Sequence, residues 1–226
     1  MGDIKDHTRV NDILLGPLER PALQWLAAHL PAWVTPDLMT VIGIIGALVI
    51  TLGYGLSNFH PGFLWLATLG FIINWIGDSL DGTLARYRHI ERPKYGFYID
   101  HVTDVLTEII IILGLGLSPY IKFSVASLCC IMYIAMSVLV YVRMNVMGEF
   151  KISYSKLGPT EVRVLAILLN LGMYFGGKFA FNVSLGSASA AISPYDLFVI
   201  AITLLLIYFF ADTSIKQSIA LRKLGE

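Results

Sequence analysis

The chain has 226 residues, of which 56% are hydrophobic and only 14% are charged. Soluble domains carry about 25% charged residues, so this composition predicts a membrane protein. The formal net charge is zero, which gives no reason to expect a nucleic acid or another strongly charged partner. Cys129 and Cys130 are adjacent within an apolar run and match neither a disulfide framework nor a metal-binding spacing.

The N-terminal segment has apolar residues at helical spacing over 10–33, interrupted by Pro17 and Pro21. This pattern predicts one or two amphipathic helices that lie in the membrane interface. The segment is too short to bury a core of its own, so residues 1–35 are interpreted as an interfacial helix region. Thr35 and Pro36 then suit the cap and the first turn of a following helix.

Long apolar runs occupy most of the remaining chain. A helix needs about 20 apolar residues to cross a bilayer, and six segments meet this length: 38–58, 61–85, 97–118, 122–146, 160–183 and 194–214. The runs are continuous rather than alternating, which excludes a β-barrel. The fold class is therefore an all-α membrane protein, with a six-helix transmembrane bundle over 36–214 preceded by the interfacial amphipathic helix. Residues 215–226 are interpreted as a tail.

The positive charges divide unequally between the two ends of the predicted spans. Only Lys122 and Lys178 fall on one side, and the other fourteen Lys and Arg residues fall on the opposite side. Because positive residues accumulate on the cytoplasmic side, both termini are predicted to be cytoplasmic. The loop between the second and third spans is predicted to lie on that side as well.

Acidic residues concentrate in the window 77–104, around this loop. Asp78 and Asp81 are three residues apart and share one helix face, while Asp100 and Asp104 are four apart and share another. Two neighbouring helices would then present their carboxylates toward one point. Gly82, Ala85 and Gly96 lie on the same faces and leave space beside the acids.

Clustered carboxylates repel one another unless a proton or a cation lies between them. Oxygen-only ligands suit Mg²⁺ or Mn²⁺, and Arg86 adds a cation for an anionic group such as a pyrophosphate. Two alternatives remain open at this point. One is that the acids are ordinary interfacial charges. The other is that they form the cation site of a transporter, which would place them near the bilayer midplane.

The window resembles the signature of the CDP-alcohol phosphatidyltransferase family, D-x2-D-G-x2-A-R, eight or nine residues, then G-x3-D-x3-D. Every position is filled, by Asp78, Asp81, Gly82, Ala85, Arg86, Gly96, Asp100 and Asp104. The resemblance implies that Asp78, Asp81 and Asp100 bind one or two divalent metals. It implies that Asp104 is the general base and also touches a metal. It places Asp78, Gly82, Ala85, Arg86 and Gly96 at the cytidine diphosphate site.

The implied reaction is attack by an alcohol hydroxyl on the donor phosphate, with release of CMP. In one branch of the family CDP-diacylglycerol donates to a polar alcohol such as inositol phosphate or glycerol phosphate. In the other branch CDP-choline or CDP-ethanolamine donates to a diacylglycerol. His101 resembles the aminoalcohol branch and is a second candidate base, although Phe97 stands where that branch tends to have Glu. The alternative for His101 is an interfacial side chain bonded to a backbone carbonyl.

Other polar residues are candidates for the acceptor site: Glu108, Arg143, Asn145, Glu161 and Arg163. Glu161 and Arg163 have an equally simple interpretation as helix-start and positive-inside residues. The resemblance further implies that the protein forms a homodimer and that membrane lipids surround it.

Overall fold

The computed structural model describes residues 9–10, 14–147, 150–151, 158–185 and 188–223. Most of this chain is helical. The described residues form seven helices: α1 Gly16–His29, α2 Pro36–Leu56, α3 Phe63–Tyr87, α4 Pro93–Gly116, α5 Phe123–Met147, α6 Pro159–Gly176 and α7 Pro194–Lys223. Two short strand pairs accompany them: β1 Arg9–Val10 is parallel to β2 Phe150–Lys151, and β3 Phe181–Leu185 is antiparallel to β4 Ala188–Ile192.

Each predicted span overlaps a helix, and four described helices are long and apolar enough to cross a membrane. These are α2, α3, α5 over Phe123–Val146, and α7. The helices α4 and α6, which carry charged residues of the predicted site, do not belong to this group. Six spans therefore remain a prediction, whereas a helical fold with several apolar helices is confirmed.

The predicted end of the fifth span, at residue 183, was wrong. The helix α6 ends at Gly176, because Gly177 takes a positive φ of 69° that only glycine adopts easily. The chain then enters the β3–β4 hairpin. At the other end of the bundle, α7 continues to Lys223, so residues 215–223 of the predicted tail are helical.

Glycines let α2 and α3 pack at backbone contact. A Cβ atom added at Gly46 would lie 2.7 Å from Asn74 Cα, and one added at Gly77 would lie 2.6 Å from Met39 O. Such distances are far below van der Waals contact, so these positions admit no larger residue without a shift of the backbone. Small residues at a helix crossing are a common way for membrane helices to approach closely.

A buried polar network joins α6 to this pair inside the apolar core. The Tyr54 hydroxyl donates to Asn170 Oδ1 over 2.8 Å, and Asn170 Nδ2 donates to Thr68 Oγ1 over 3.1 Å. All three residues are buried. Each polar group thus finds a partner away from water, which fixes α6 against α2 and α3.

The helix α1 is a single helix that runs through Pro21. Leu23 and Ala27 pack in one buried cluster with Leu80 and Leu84 of α3. The guanidinium of Arg88 donates to backbone carbonyls just beyond the end of α1, at Leu30, Pro31, Ala32 and Val34. The helix is thus attached to α3, and its location in the membrane interface remains a prediction.

Candidate active site

Three of the predicted acids converge between α3 and α4. Asp78, Asp100 and Asp104 each offer a carboxylate oxygen that lies within 4.8 Å of the other two, and all three residues are partly buried. Carboxylates this close repel one another strongly when all are ionised. The arrangement therefore fits a divalent cation, which prefers oxygen ligands of this kind.

Asp81, the fourth predicted metal ligand, lines a small cavity together with Asp78 and Asp104. Both of its carboxylate oxygens accept hydrogen bonds from the protein. Its Oδ2 accepts a hydrogen bond from the Thr40 hydroxyl over 2.8 Å, and its Oδ1 accepts the Gly82 N–H over 2.5 Å. The cavity has a volume of about 10 Å³, roughly the space of one water-sized particle. Its lining includes Asp78, Asp81 and Asp104.

Arg163 of α6 holds Asp78 in place. Its Nη2 donates to Asp78 Oδ2 over 2.6 Å, and its Nε donates to Asn74 Oδ1 over 2.9 Å. Asn74 in turn donates from Nδ2 to the Gly43 carbonyl oxygen over 2.9 Å. The guanidinium therefore partly neutralises the acidic cluster, and the residue predicted as a possible acceptor contact lies beside a predicted metal ligand.

Glu108 lies one turn beyond Asp104 and pairs with a residue that the sequence reasoning missed. The Tyr133 hydroxyl of α5 donates to Glu108 Oε1 over 2.8 Å. Tyr133 stands in an apolar run with no polar neighbour in sequence. The sequence indicated Tyr133 only through a general rule, that a tyrosine hydroxyl inside a membrane helix requires a hydrogen-bond partner. Thr40 was missed in the same way, although it lies five residues after the predicted helix cap Thr35.

His101 has the contacts expected of the alternative interpretation. Its Nδ1 lies 2.8 Å from the Phe97 carbonyl oxygen, and its ring stacks on Phe97 with 4.0 Å between centroids. The same nitrogen lies 3.5 Å from Asp100 Oδ2. Because a carbonyl oxygen only accepts, Nδ1 carries the hydrogen and Nε2 has the basic lone pair. A role as a base would fall to Nε2.

The residues predicted to contact the nucleotide lie toward the end of α3 and at the start of α4. Arg86 is exposed and donates to Thr83 Oγ1 over 3.3 Å. A Cβ atom at Gly82 would lie 3.2 Å from the Arg86 guanidinium, and one at Gly96 would meet nothing within 4 Å. The partly buried Ala85 adds little bulk. Space is thus open at Gly96, and the Arg86 guanidinium lies against Gly82.

The remaining candidates for the acceptor site, Glu161, Arg143 and Asn145, have different surroundings. Both oxygens of Glu161 accept backbone N–H groups, from Leu15 over 2.8 Å and from Gly158 over 2.9 Å. This agrees with the helix-start interpretation. Asn145 is exposed and donates to the Tyr141 carbonyl of its own helix, and Arg143 is partly buried near the same end of α5.

The fold and this site define a helical, multi-pass membrane protein with a carboxylate cluster suited to a divalent cation. The chain belongs to the CDP-alcohol phosphatidyltransferase family, whose model matches residues 33–215. This confirms the family resemblance inferred from the aspartate motif.

Curated relatives come from two branches of the family. The chain is 28% identical over 177 residues to cholinephosphotransferase 1 of Gallus gallus, covering 73% of this chain and 50% of that protein. It is 36% identical over 92 residues to the phosphatidylinositol phosphate synthase of Cutibacterium acnes, covering 40% and 41%. It is 27% identical over 123 residues to the archaetidylinositol phosphate synthase of Pyrococcus horikoshii, covering 54% of each. The chain thus spans about half the length of the curated relatives it matches.

Proposed function

We propose that this protein is a metal-dependent phosphotransferase of phospholipid biosynthesis. It would transfer a phospho-alcohol group from a CDP-linked donor to the hydroxyl of an acceptor and release CMP. The convergence of Asp78, Asp100 and Asp104 from two helices carries this proposal. Membership of the family, which extends over residues 33–215, supports it.

The metal site would use Asp78, Asp100 and Asp104, with Asp81 at the edge of the same cavity. One or two Mg²⁺ or Mn²⁺ ions suit such all-oxygen donors. A bound divalent cation neutralises charge on the donor phosphates. Asp78 is already oriented for this task by Arg163.

In the proposed reaction, Asp104 removes the proton from the acceptor hydroxyl. The hydroxyl oxygen forms a bond to the phosphorus that carries the donor alcohol. The bond from that phosphorus to the bridging oxygen breaks, and CMP leaves with the electron pair. Arg86 is exposed and lies against Gly82, and its charge would stabilise the part of the diphosphate charge that the metal does not neutralise.

For the donor, we favour CDP-choline or CDP-ethanolamine with a lipid acceptor. His101 supports this preference, as does the greater share of this chain that aligns with cholinephosphotransferase 1. Arg163 already donates to Asp78 and Asn74. It would therefore be only partly available to bind the phosphate of a phosphorylated acceptor. The alternative is transfer from CDP-diacylglycerol to inositol phosphate or another polar alcohol, which the 36% identity to a phosphatidylinositol phosphate synthase supports.

We further propose that the enzyme is a homodimer with both termini and the site at the cytoplasmic face of the membrane. The distribution of Lys and Arg supports this orientation.

Purified protein in nanodiscs tests the activity by release of CMP from a panel of donors and acceptors. We expect release that is abolished by EDTA and restored by Mg²⁺ or Mn²⁺. The most active pair identifies the branch. No metal-dependent release with any pair would refute the proposed function.

Asp104→Asn tests the proposed base. The amide cannot accept the proton, so we expect CMP release to fall by at least about 100-fold, with binding of the CDP-donor largely retained. Unchanged turnover would remove Asp104 from this role. The His101→Asn variant serves as the comparison, because it leaves Asp104 in place and tests the second candidate base.

A further inference from the structure

A single carboxylate oxygen on α1 joins three helices. Oε1 of Glu19 accepts hydrogen bonds from the Trp75 indole over 2.8 Å, the Thr160 hydroxyl over 2.7 Å and the Ser79 hydroxyl over 3.3 Å. Trp75 and Ser79 belong to α3, and Thr160 belongs to α6. Glu19 lies outside residues 33–215, the range that the family model matches.

The three donors flank the acidic cluster. Ser79 directly follows Asp78, and Trp75 precedes it by three residues on α3. Thr160 lies three residues before Arg163, whose guanidinium donates to Asp78 over 2.6 Å. The helices α3 and α6 are thus connected at two nearby positions. One connection is direct, through Arg163 and Asp78, and the other is indirect, through Glu19.

The helix α1 is also fixed independently of Glu19. The Leu15 N–H donates to Glu161 of α6 over 2.8 Å. Arg88, which directly follows α3, donates to carbonyls beyond the other end of α1, including Leu30 over 3.0 Å. Because α1 is held at both ends, the Glu19 carboxylate occupies a defined position from which to hold α3 and α6 together.

We propose that Glu19 is a positioning residue for the metal site. Through Thr160 and Ser79 it sets the separation of α6 and α3, and this separation keeps Arg163 on Asp78. Among the described residues, Glu19 bonds Trp75, Ser79 and Thr160 rather than the proposed metal ligands themselves. The inference rests on the proposed function for the presence of a metal at Asp78.

Binding of Mn²⁺ to the purified full chain, followed by electron paramagnetic resonance, tests this role without relying on turnover. We expect Glu19→Ala and Thr160→Val each to weaken Mn²⁺ binding about tenfold, because each removes a hydrogen bond to a charged carboxylate. Thr160→Ser keeps the hydroxyl and should bind like the wild type. The double variant should be no weaker than either single variant, since both remove the same tie.

Arg88→Met is the matched control for a general loosening of α1. It should lower thermal stability and leave Mn²⁺ affinity within about twofold, because the Arg88 guanidinium bonds the carbonyls of the segment after α1. Equal weakening in Arg88→Met and Thr160→Val, or wild-type affinity in Thr160→Val, would overturn the role of Glu19.

A second measurement separates this inference from the metal site itself. Spin labels at Tyr87→Cys and Val162→Cys, in a background with Cys129 and Cys130 replaced by alanine, report the distance between α3 and α6 without metal. Glu19→Ala should broaden that distance distribution. Absence of Mn²⁺ binding by the wild type would contradict the proposed metal site, whereas an unchanged distance distribution would contradict the role of Glu19.

Discussion

The environment of Asp78 illustrates how single residues prepare the candidate site. A chain of hydrogen bonds leads from the Gly43 carbonyl through Asn74 and Arg163 to the Asp78 carboxylate. Its members come from α2, α3 and α6. The Arg163 and Asp78 side chains are only 16% and 24% exposed, so their attraction is less screened than at a surface. Asp78 therefore has one defined orientation.

Two substitutions of Arg163 should distinguish the effect of its charge from the effect of its hydrogen-bond geometry. Arg163→Lys keeps the charge but cannot donate to Asp78 and Asn74 from one rigid plane, so we expect CMP release to fall about tenfold. Arg163→Met leaves Asp78 without its cation, and the free energy of unfolding should fall by about 3 kcal/mol. Activity assays and SDS-titration midpoints measure the two effects.

The exposed Arg222→Lys, at the end of α7, is the control for these variants and should match the wild type. Full activity of Arg163→Met would contradict the role assigned to this contact.

At this scale, the sequence predicted that four acids would meet, and three of them converge while Asp81 bonds Thr40 and Gly82. The sequence did not predict what would hold them. The spacings of Asp78 and Asp81, and of Asp100 and Asp104, follow from the helical repeat. The bonds from Thr40 to Asp81 and from Arg163 to Asp78 join residues 41 and 85 positions apart. No local periodicity relates such positions, so these partners required the packed structure.

At the scale of elements, the crossing of α2 and α3 determines where Asp78 and Asp81 stand relative to Thr40. The crossing depends on glycines at the contact, including Gly43, Gly46 and Gly77. Close approach of the two backbones also brings Asn74 Nδ2 within 2.9 Å of the Gly43 carbonyl. The geometry of this helix pair and the geometry of the site are therefore linked.

Gly46→Ala and Gly55→Ala form a matched pair on α2 that tests this link. A Cβ atom at Gly46 would meet the Asn74 backbone, whereas one at Gly55 would meet nothing within 4 Å. We expect Gly46→Ala to lower the free energy of unfolding by about 2 kcal/mol and to reduce CMP release. Gly55→Ala should be neutral or stabilising by up to about 1 kcal/mol. SDS-titration midpoints compare them, and equal midpoints would contradict a tight crossing.

The end of α6 shows where prediction of elements from hydropathy was insufficient. The apolar character continues beyond Gly177 through Phe179 and Phe181, so a count of apolar residues extends the span to 183. Backbone conformation decides otherwise, because Gly177 leaves the helix with a positive φ. Hydropathy measures the preference of side chains for lipid and carries no information about that turn.

At the scale of the whole molecule, the main prediction concerns orientation in the membrane. The loop between α3 and α4 should face the cytoplasm, and the segment after α6 should face the opposite side. Ile90→Cys and Lys178→Cys, in a background with Cys129 and Cys130 replaced by alanine, test this with a membrane-impermeant maleimide. We expect labelling of Lys178→Cys in intact cells and of Ile90→Cys only after permeabilisation. The reverse pattern would contradict the predicted orientation.

The sequence by itself determined the membrane class, the helices that carry the site and the spacing of the four aspartates. These properties follow from composition and from the helical repeat, which act over short stretches of chain. Only the tertiary structure decided that Arg163 meets Asp78, that Glu161 accepts backbone N–H groups, and that Glu19 joins α1 to α3 and α6. Those contacts depend on which helices pack together and at what distance, a property of the assembled bundle rather than of any one segment.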